Sequence, residues 1–284
     1  MVDLCGLGDA LLEATFVARD NRFRVTVELN GEYVWTHLGN SGRLTELLTP
    51  GRRLFLRPVT TQGRKTAYDL LLVDLDGVLV SVDARLPNAL IGEALREGNL
   101  APFDGYETIR REVRWGGSRL DFVLEDQSRR CLIEAKSVTL VKRGVALFPD
   151  APTVRGRRHV EELRRAAAQG ERAAIVFVVQ RGDASAFASN DEADPTFGVA
   201  LRAAVKGGVE VYAYACRVSQ NQVRLGRDLK EGWTAIDRRV LVLAAAAAVA
   251  VARENDTEQG RGFVRIHADL TIPGEKGRMQ RCAL

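Results

Sequence analysis

"SRLDFVLEDQSRRCLIEAKSV", residues 118–138, is the stretch on which the fold of this chain turns. Two mainly apolar runs, 118–125 and 131–138, flank the polar turn "DQSRR". Runs of this length around a short polar turn predict two strands that lie side by side and antiparallel. Three charges interrupt them: Asp121 in the first, Glu134 and Lys136 in the second. Side chains two apart on a strand share a face. Glu134 and Lys136 therefore stand together on a surface whose neighbours are Leu132 and Val138. Burying either charge alone costs several kcal/mol, and pairing recovers that only with good geometry. Asp121, on the adjoining strand, converges on the same spot.

Outward from this pair, two kinds of pattern appear. Residues 14–84 read as all-β. "RFRVTVELNGEYVWTHL" alternates apolar and polar positions around Asn30-Gly31, a strong hairpin signal. "RRLFLRPV" and "AYDLLLVDLDGVLVSVDA" add short strands, the latter turning at Asp76-Gly77. Short strands with little helix predict a small barrel or sandwich. Its aromatics Phe23, Tyr33 and Trp35 fit either a core, the commoner role in a small barrel, or base stacking. Between Glu46 and Asp69 lie Arg52, Arg53, Arg57, Arg64 and Lys65 without an acid. A solvated edge strand and a phosphate-facing groove both fit that run.

From residue 86 helices interleave with strands. "LPNALIGEALREG" predicts a helix that starts at Pro87 and stops at Gly98. The meander "TIRREVRW", Gly116-Gly117, 118–125 and 131–138 follows, then a proline-containing loop. "TVRGRRHVEELRRAAAQG" predicts a helix capped by Thr153 and stopped at Gly170. "AAIVFVVQR" is a strand buried on both faces, "DPTFGVALRAAVKGG" a helix and "VEVYAYACRV" a strand. This alternation predicts a mixed α/β layer. The chain divides into residues 1–84, 85–232 and a C-terminal extension, 233–284, with an Ala-rich helical stretch at 237–254 and a weakly patterned tail.

The totals set bounds. A chain of 284 residues favours two domains. A net charge of +4 and a pI near 9.0 lean only mildly toward polyanionic partners. Cys5, Cys131, Cys216 and Cys282 show no metal-ligand spacing, which fits a reducing, cytoplasmic compartment. No secretory leader pattern is visible, and the longest apolar run, 240–252, falls short of the roughly 20 residues of a membrane span.

Two or three carboxylates and a backbone carbonyl suit Mg²⁺, which keeps several waters. A lysine beside such a site orients or deprotonates an attacking water, or meets charge on a phosphate. Glu93, on the helix upstream, is the candidate third acid. The competing reading is a structural cluster in which Lys136 merely neutralises the acids. Arg155, Arg157, Arg158 and His159 gather at a helix N-terminus, where free amides favour anions; phosphate binding and a solvated basic face both fit. Asp150 is a further ligand or a turn residue, and Gln180 a substrate contact or an edge cap. His37 and His267 have no recognisable partners.

Asp121 followed by Glu134-Ala135-Lys136 resembles the PD-(D/E)xK nuclease pattern, here without its initial proline. More specifically, "LGNSGRL", "RLPN", "SRLDF", "EAKSVTL", "ALFPDAPTVRGRRHVEEL", "FVVQR", "NDEADPTF" and "LGRDL" resemble the sugar fermentation stimulation protein family (SfsA), over residues 14–229. The resemblance implies an N-terminal OB-like β-barrel followed by a restriction-endonuclease-like mixed-sheet α/β domain. It also implies DNA binding and metal-dependent DNA or RNA cleavage, with Mg²⁺ or Mn²⁺ as cofactor. Asp121, Glu134 and Lys136 match the nuclease motif, and Glu93 the upstream helical acid. Arg155, Arg157, Arg158 and His159, with Arg52, Arg53 and Arg57 of the barrel, are the expected nucleic-acid contacts. A non-enzymatic DNA-binding regulator of sugar-utilisation genes that retains the fold is the alternative. The oligomeric state stays open, a homodimer among the options.

Overall fold

The computed structural model describes residues 2–3, 11–61 and 63–226. The helical stretch expected at 237–254, the tail and His267 lie outside these described residues. After a two-residue strand β1 (Val2–Asp3), six strands form one sheet: β2 (Leu12–Arg19), β3 (Arg24–Leu29), β4 (Glu32–Leu38), β5 (Arg53–Pro58), β6 (Tyr68–Leu75) and β7 (Val78–Ser81). Their order is β4-β3-β2-β5-β6-β7, and parallel pairing of β4 with β6 at Thr36–Leu38 closes five of them into a barrel. Both hairpins turn where the sequence predicts. Asn30 and Gly31 have φ of 53° and 83°, Asp76 and Gly77 of 53° and 95°. Two consecutive positive φ values match the twist of the flanking strands. Alternation puts Val25, Val27 and Leu29 inside with Leu38, Leu54, Leu56, Leu70 and Val73. This is an OB-like barrel.

The second half begins with α1 (Leu86–Arg96). The meander β8 (Thr108–Trp115), β9 (Ser118–Glu125) and β10 (Arg130–Val138) is antiparallel throughout. A short hairpin follows, β11 (Val141–Lys142) and β12 (Val145–Phe148), then α2 (Val154–Ala168), β13 (Arg172–Val179), β14 (Ala186–Ser189), α3 (Pro195–Lys206), β15 (Glu210–Val218) and β16 (Gln222–Leu225). The main sheet runs β1-β16-β15-β13-β10-β9-β8, with β10, β13 and β15 mutually parallel. Helix α1 covers one face through Leu90, Ile91 and Ala94 against Phe122, Ile133 and Val176. Helices α2 and α3 cover the other through Val160, Leu163 and Leu201 against Leu132, Ile175 and Phe177. That is the expected restriction-endonuclease-like mixed sheet.

The region read as a proline-containing loop departs from expectation. It holds β11 and β12, and β12 pairs in parallel with β14. Its turn is Arg143-Gly144, with arginine at φ 51° where Asn or Asp is the usual signal, and strands of two and four residues are too short for alternation to show.

Barrel and sheet share a core, since Phe55, Leu71 and Leu72 pack in one cluster with Leu86, Leu90 and Phe122. Each such buried side chain contributes about 1.5–3 kcal/mol. Gln180 knits the two halves further. It is fully buried, its Nε2 donates to Ser137 Oγ at 2.8 Å and Asp83 O at 3.2 Å, and its backbone carbonyl accepts from Ser81 N at 2.9 Å. Asp150 does the same from the proline loop, its Oδ2 accepting from Arg43 N at 2.7 Å. A Cβ on Gly42 would sit 2.6 Å from that oxygen, so any larger residue would displace the Asp150 carboxylate.

Candidate active site

The site is built from a ladder that opens. Strands β9 and β10 pair from Arg130↔Glu125 to Ile133↔Phe122 and stop there. The next pair in the same register would be Glu134 with Asp121. On the other side of β9, the register with β8 passes from Arg111↔Phe122 to Val113↔Leu120. Glu112, the position skipped, has φ 56°. A non-glycine residue there costs about 1–3 kcal/mol, strain that clusters at functional sites. The ladder is thus interrupted on both sides of Asp121. The Ala135 amide donates to Asp121 Oδ2 at 2.8 Å, and Asn88 of α1 donates through Nδ2 to Oδ1 at 2.6 Å.

Glu134 is 2% exposed, and its two oxygens are treated unequally. Oε1 accepts from both Lys136 Nζ and His159 Nδ1. Oε2 is buried with no hydrogen-bond partner. Arg155 Nε donates to His159 Nε2 at 3.4 Å, which makes Nε2 an acceptor and leaves the ring proton on Nδ1 for Glu134. The two acids feel opposite fields. Burial, then the facing charge of Glu134, push the Asp121 carboxyl above the ordinary aspartate range, outweighing the Ala135 amide, Lys136 and Asn88. Burial also pushes Glu134 upward, but Lys136 and His159 outweigh it and hold its carboxyl below the ordinary glutamate range. One carboxylate is neutralised and the other is not.

In front of Lys136 opens a cleft of about 350 Å³, walled by Asn40–Gly42 of the barrel, by 135–140 of β10 and its exit, and by the 147–156 loop. Ala135 and Lys136 line it directly, with Glu134 behind them.

Other expected residues are placed differently. Glu93 lies on α1 one turn and more beyond Asn88, about 7 Å along the axis for five residues, and among the described residues no three His, Cys, Asp or Glu side chains converge as a metal cluster. The helix meets the site through Asn88, which sequence reasoning missed although "RLPN" contains it. His159, expected to face nucleic acid, is 2% exposed and turned inward onto Glu134. Arg157 is committed to Asp194, the N-cap of α3, at 3.2 Å. Arg155 and Arg158 are exposed at the α2 N-terminus. On the barrel, Arg52 pairs with Asp76 at 2.9 Å, Arg53 with Asp74, and Arg57 with Asp69 at 3.1 Å. The arginines of the acid-free run pair with acids from β6 and its turn, because antiparallel β5 and β6 set Arg57 opposite Asp69 and Leu54 opposite Val73. Tyr33 and Trp35, for which a core role was the commoner expectation, are 72% and 53% exposed, and Phe23 is 47% exposed.

Residues 85–222 match the family model "Sugar fermentation stimulation protein RE domain", and residues 17–82 the model "SfsA N-terminal OB domain". The chain belongs to the SfsA family. A sugar fermentation stimulation protein homolog of Moorella thermoacetica is 50% identical over 76% of this chain and 94% of its own length. One from Chloroflexus aurantiacus is 47% identical over 78% of this chain and 86% of its own. The solved structure of Pyrococcus furiosus SfsA, in complex with Ca²⁺, superposes with a TM-score of 0.72 at 32% identity, covering 81% of this chain and 98% of that one. Among the described residues, no helix of this SfsA member is long and apolar enough to cross a membrane.

Proposed function

We propose that this protein is a divalent-metal-dependent nuclease that hydrolyses phosphodiester bonds in nucleic acid, with Asp121, Glu134 and Lys136 as the catalytic group. The observation that carries the reading is the unpartnered, buried Oε2 of Glu134 beside an un-neutralised Asp121. A buried acceptor left without a donor costs about 1–3 kcal/mol, and two facing carboxylates add repulsion. A hard cation relieves both at once. The donor set is all oxygen, which suits Mg²⁺ or Mn²⁺, and the Pyrococcus furiosus relative was solved with Ca²⁺. Asp121 and Glu134 would hold the ion, and waters complete its shell. When bound, such an ion polarises a phosphoryl oxygen and lowers the pKa of a bound water.

The remaining steps belong to this chain's side chains. His159 Nδ1 fixes Glu134 through Oε1 and leaves Oε2 for the ligand. Asn88 and the Ala135 amide hold Asp121 in place. Lys136, with its side chain 12% exposed at the cleft wall, has the position to orient a water or meet the charge that builds on phosphate. Arg155 and Arg158, beside the free amides at the start of α2, would hold the backbone phosphates.

The test is direct. The protein is incubated with single- and double-stranded DNA and RNA in Mg²⁺, Mn²⁺ or EDTA. Cleavage that needs the ion and disappears in Glu134→Gln and Lys136→Ala, with binding retained, supports the reading. Binding without products under any ion overturns it in favour of a regulator.

A further inference from the structure

The barrel carries a second feature that the catalytic group does not use. On the outward face of the β3–β4 hairpin, Arg24, Thr26 and Glu28 lie opposite His37, Trp35 and Tyr33. The rings of Phe23 and His37 stand 6.4 Å apart, and the Arg24 guanidinium lies 4.4 Å over the Trp35 ring. Trp35 nonetheless remains 53% exposed. Phe23, Arg24, Trp35 and His37 line a groove of about 530 Å³ together with Arg64, Lys65 and Arg85. Arg64 and Arg57 share the single carboxylate of Asp69, and Lys65 has no carboxylate partner among the described residues. Arg85 pairs with Asp83 at 2.6 Å and lies 3.9 Å from Asp69, so Arg57, Arg64, Lys65 and Arg85 together meet two carboxylates, and the lining combines aromatic rings with a net positive charge.

It also leads somewhere. Arg85 lines the groove, and its neighbour Ala84 lines the catalytic cleft. A Cβ on Gly39 would lie 3.4 Å from Arg85 Nη2, and Asn40 already belongs to the cleft. Groove and cleft thus adjoin at residues 39–40 and 84–85.

We propose that this face binds single-stranded nucleic acid, stacking bases on Phe23, His37 and Trp35 with phosphates toward Lys65 and Arg85, and delivers the strand to Lys136. What happens to the strand there rests on the nuclease reading above. Same-face residues of a strand recur every ~6.7 Å, about twice the ~3.4 Å step per strand of a duplex. Rings at that spacing suit a stretched strand with its bases apart and mismatch a closed stack. Base–aromatic stacking is also tolerant of sequence, which fits a groove with few fixed donors.

The experiment measures binding in EDTA, so that cleavage cannot intervene. The probes are a 12-nucleotide deoxythymidine strand and a 12-base-pair duplex, read by tryptophan fluorescence and by anisotropy across salt. The single strand is expected to bind more tightly and to quench fluorescence. Trp35→Ala is expected to weaken it about 10-fold, the size of one lost stack, without changing the salt slope. Trp35→Phe keeps most of the affinity, while Lys65→Ala lowers the slope by about 0.7. Equal or tighter duplex binding, or a Trp35→Ala variant that binds like the parent, overturns the proposal. Because binding is read in EDTA, a parent protein that binds the strand but cuts nothing in Mg²⁺ or Mn²⁺ defeats the nuclease reading alone.

Discussion

Removing the two facing carboxylates one at a time from the metal-free protein should move its stability in opposite directions. Glu134 is 3% exposed in its side chain and Lys136 12%, with His159 completing the contact. Breaking a buried pair by deleting one partner costs about 3–5 kcal/mol. Glu134→Gln keeps one oxygen for His159, which puts the loss near the lower end, about 3 kcal/mol. At about 2–4 °C per kcal/mol for an ordered unit of this size, Tm falls by about 6–12 °C. Asp121→Asn goes the other way. Both burial and the charge of Glu134 penalise its ionised form, and an amide keeps the geometry. Its oxygen still accepts from the Ala135 amide, and its NH₂ donates to Asn88 once that side chain is flipped. Tm therefore rises. Thermal unfolding followed by circular dichroism at pH 7.5 in EDTA reads both changes. Adding Mg²⁺ at about 100 times its Kd should stabilise the parent by about 2.7 kcal/mol and leave Asp121→Asn unmoved. A fall in both variants, or a rise in Glu134→Gln, would refute the assignment of one neutralised and one un-neutralised acid.

Three further outcomes follow from the same geometry. Lys136→Ala should slow cleavage by about 10²–10³-fold, as for loss of one transition-state donor, while the Mg²⁺-induced rise in Tm persists; loss of that rise would make the lysine a holder of Glu134 only. Asp194 caps α3, accepts from the Thr153 amide at 2.8 Å and pairs with Arg157, and its carboxyl is lowered to about 2: burial raises it, but Thr196, the Thr153 and Phe197 amides and Arg157 prevail. A depressed acid contributes stability that is present above its free value and lost as pH falls through the folded one. Asp194→Asn, which keeps a capping oxygen but loses the charge, should thus cost about 1–2 kcal/mol at pH 7 and converge with the parent near pH 2, measured by urea unfolding across pH. Cys131 and Cys216 are buried with thiols pushed up to about 12 by desolvation, so peptide mapping after iodoacetamide should find both unmodified in the native protein and alkylated in urea; native labelling at either would contradict their burial.

The parts of this molecule that were legible in the sequence are those set by local periodicity. Asn30-Gly31 announces its hairpin because only a few residues accept two positive φ values, and Thr153 announces α2 because its hydroxyl can take the Gly156 amide, at 3.0 Å. Asp121 and Glu134 could be brought together on paper because a short turn fixes which residues of two antiparallel strands face each other. What stayed illegible depends on partners distant along the chain. Arg52, Arg53 and Arg57 look unpaired in any window of sequence, yet the β5–β6 pairing supplies Asp69 and Asp74. His159 sits among arginines in the text and against Glu134 in space, 25 residues away. Asn88 is separated from Asp121 by 33 residues. A motif quoted for resemblance held it, but no spacing rule would have pointed to it.

The break in the ladder explains why such a costly arrangement persists. Had β9 and β10 stayed paired past Ile133, the Ala135 amide would have bonded backbone and Asp121 would have been free to point to water. Instead the amide is taken by the Asp121 side chain, Glu112 opposite accepts a left-handed backbone, and Glu134 buries an oxygen without a donor. Each of these departures destabilises the chain alone, and a strand pair selected only for stability would be expected to close them. All three lie around one pair of carboxylates, next to a cleft lined by Ala135 and Lys136. Local rules of strand pairing that fail together in one place mark a functional or strained site, and here the missing interaction is a partner for a buried oxygen. A cation held there as proposed would supply it, returning stability in proportion to the logarithm of its concentration.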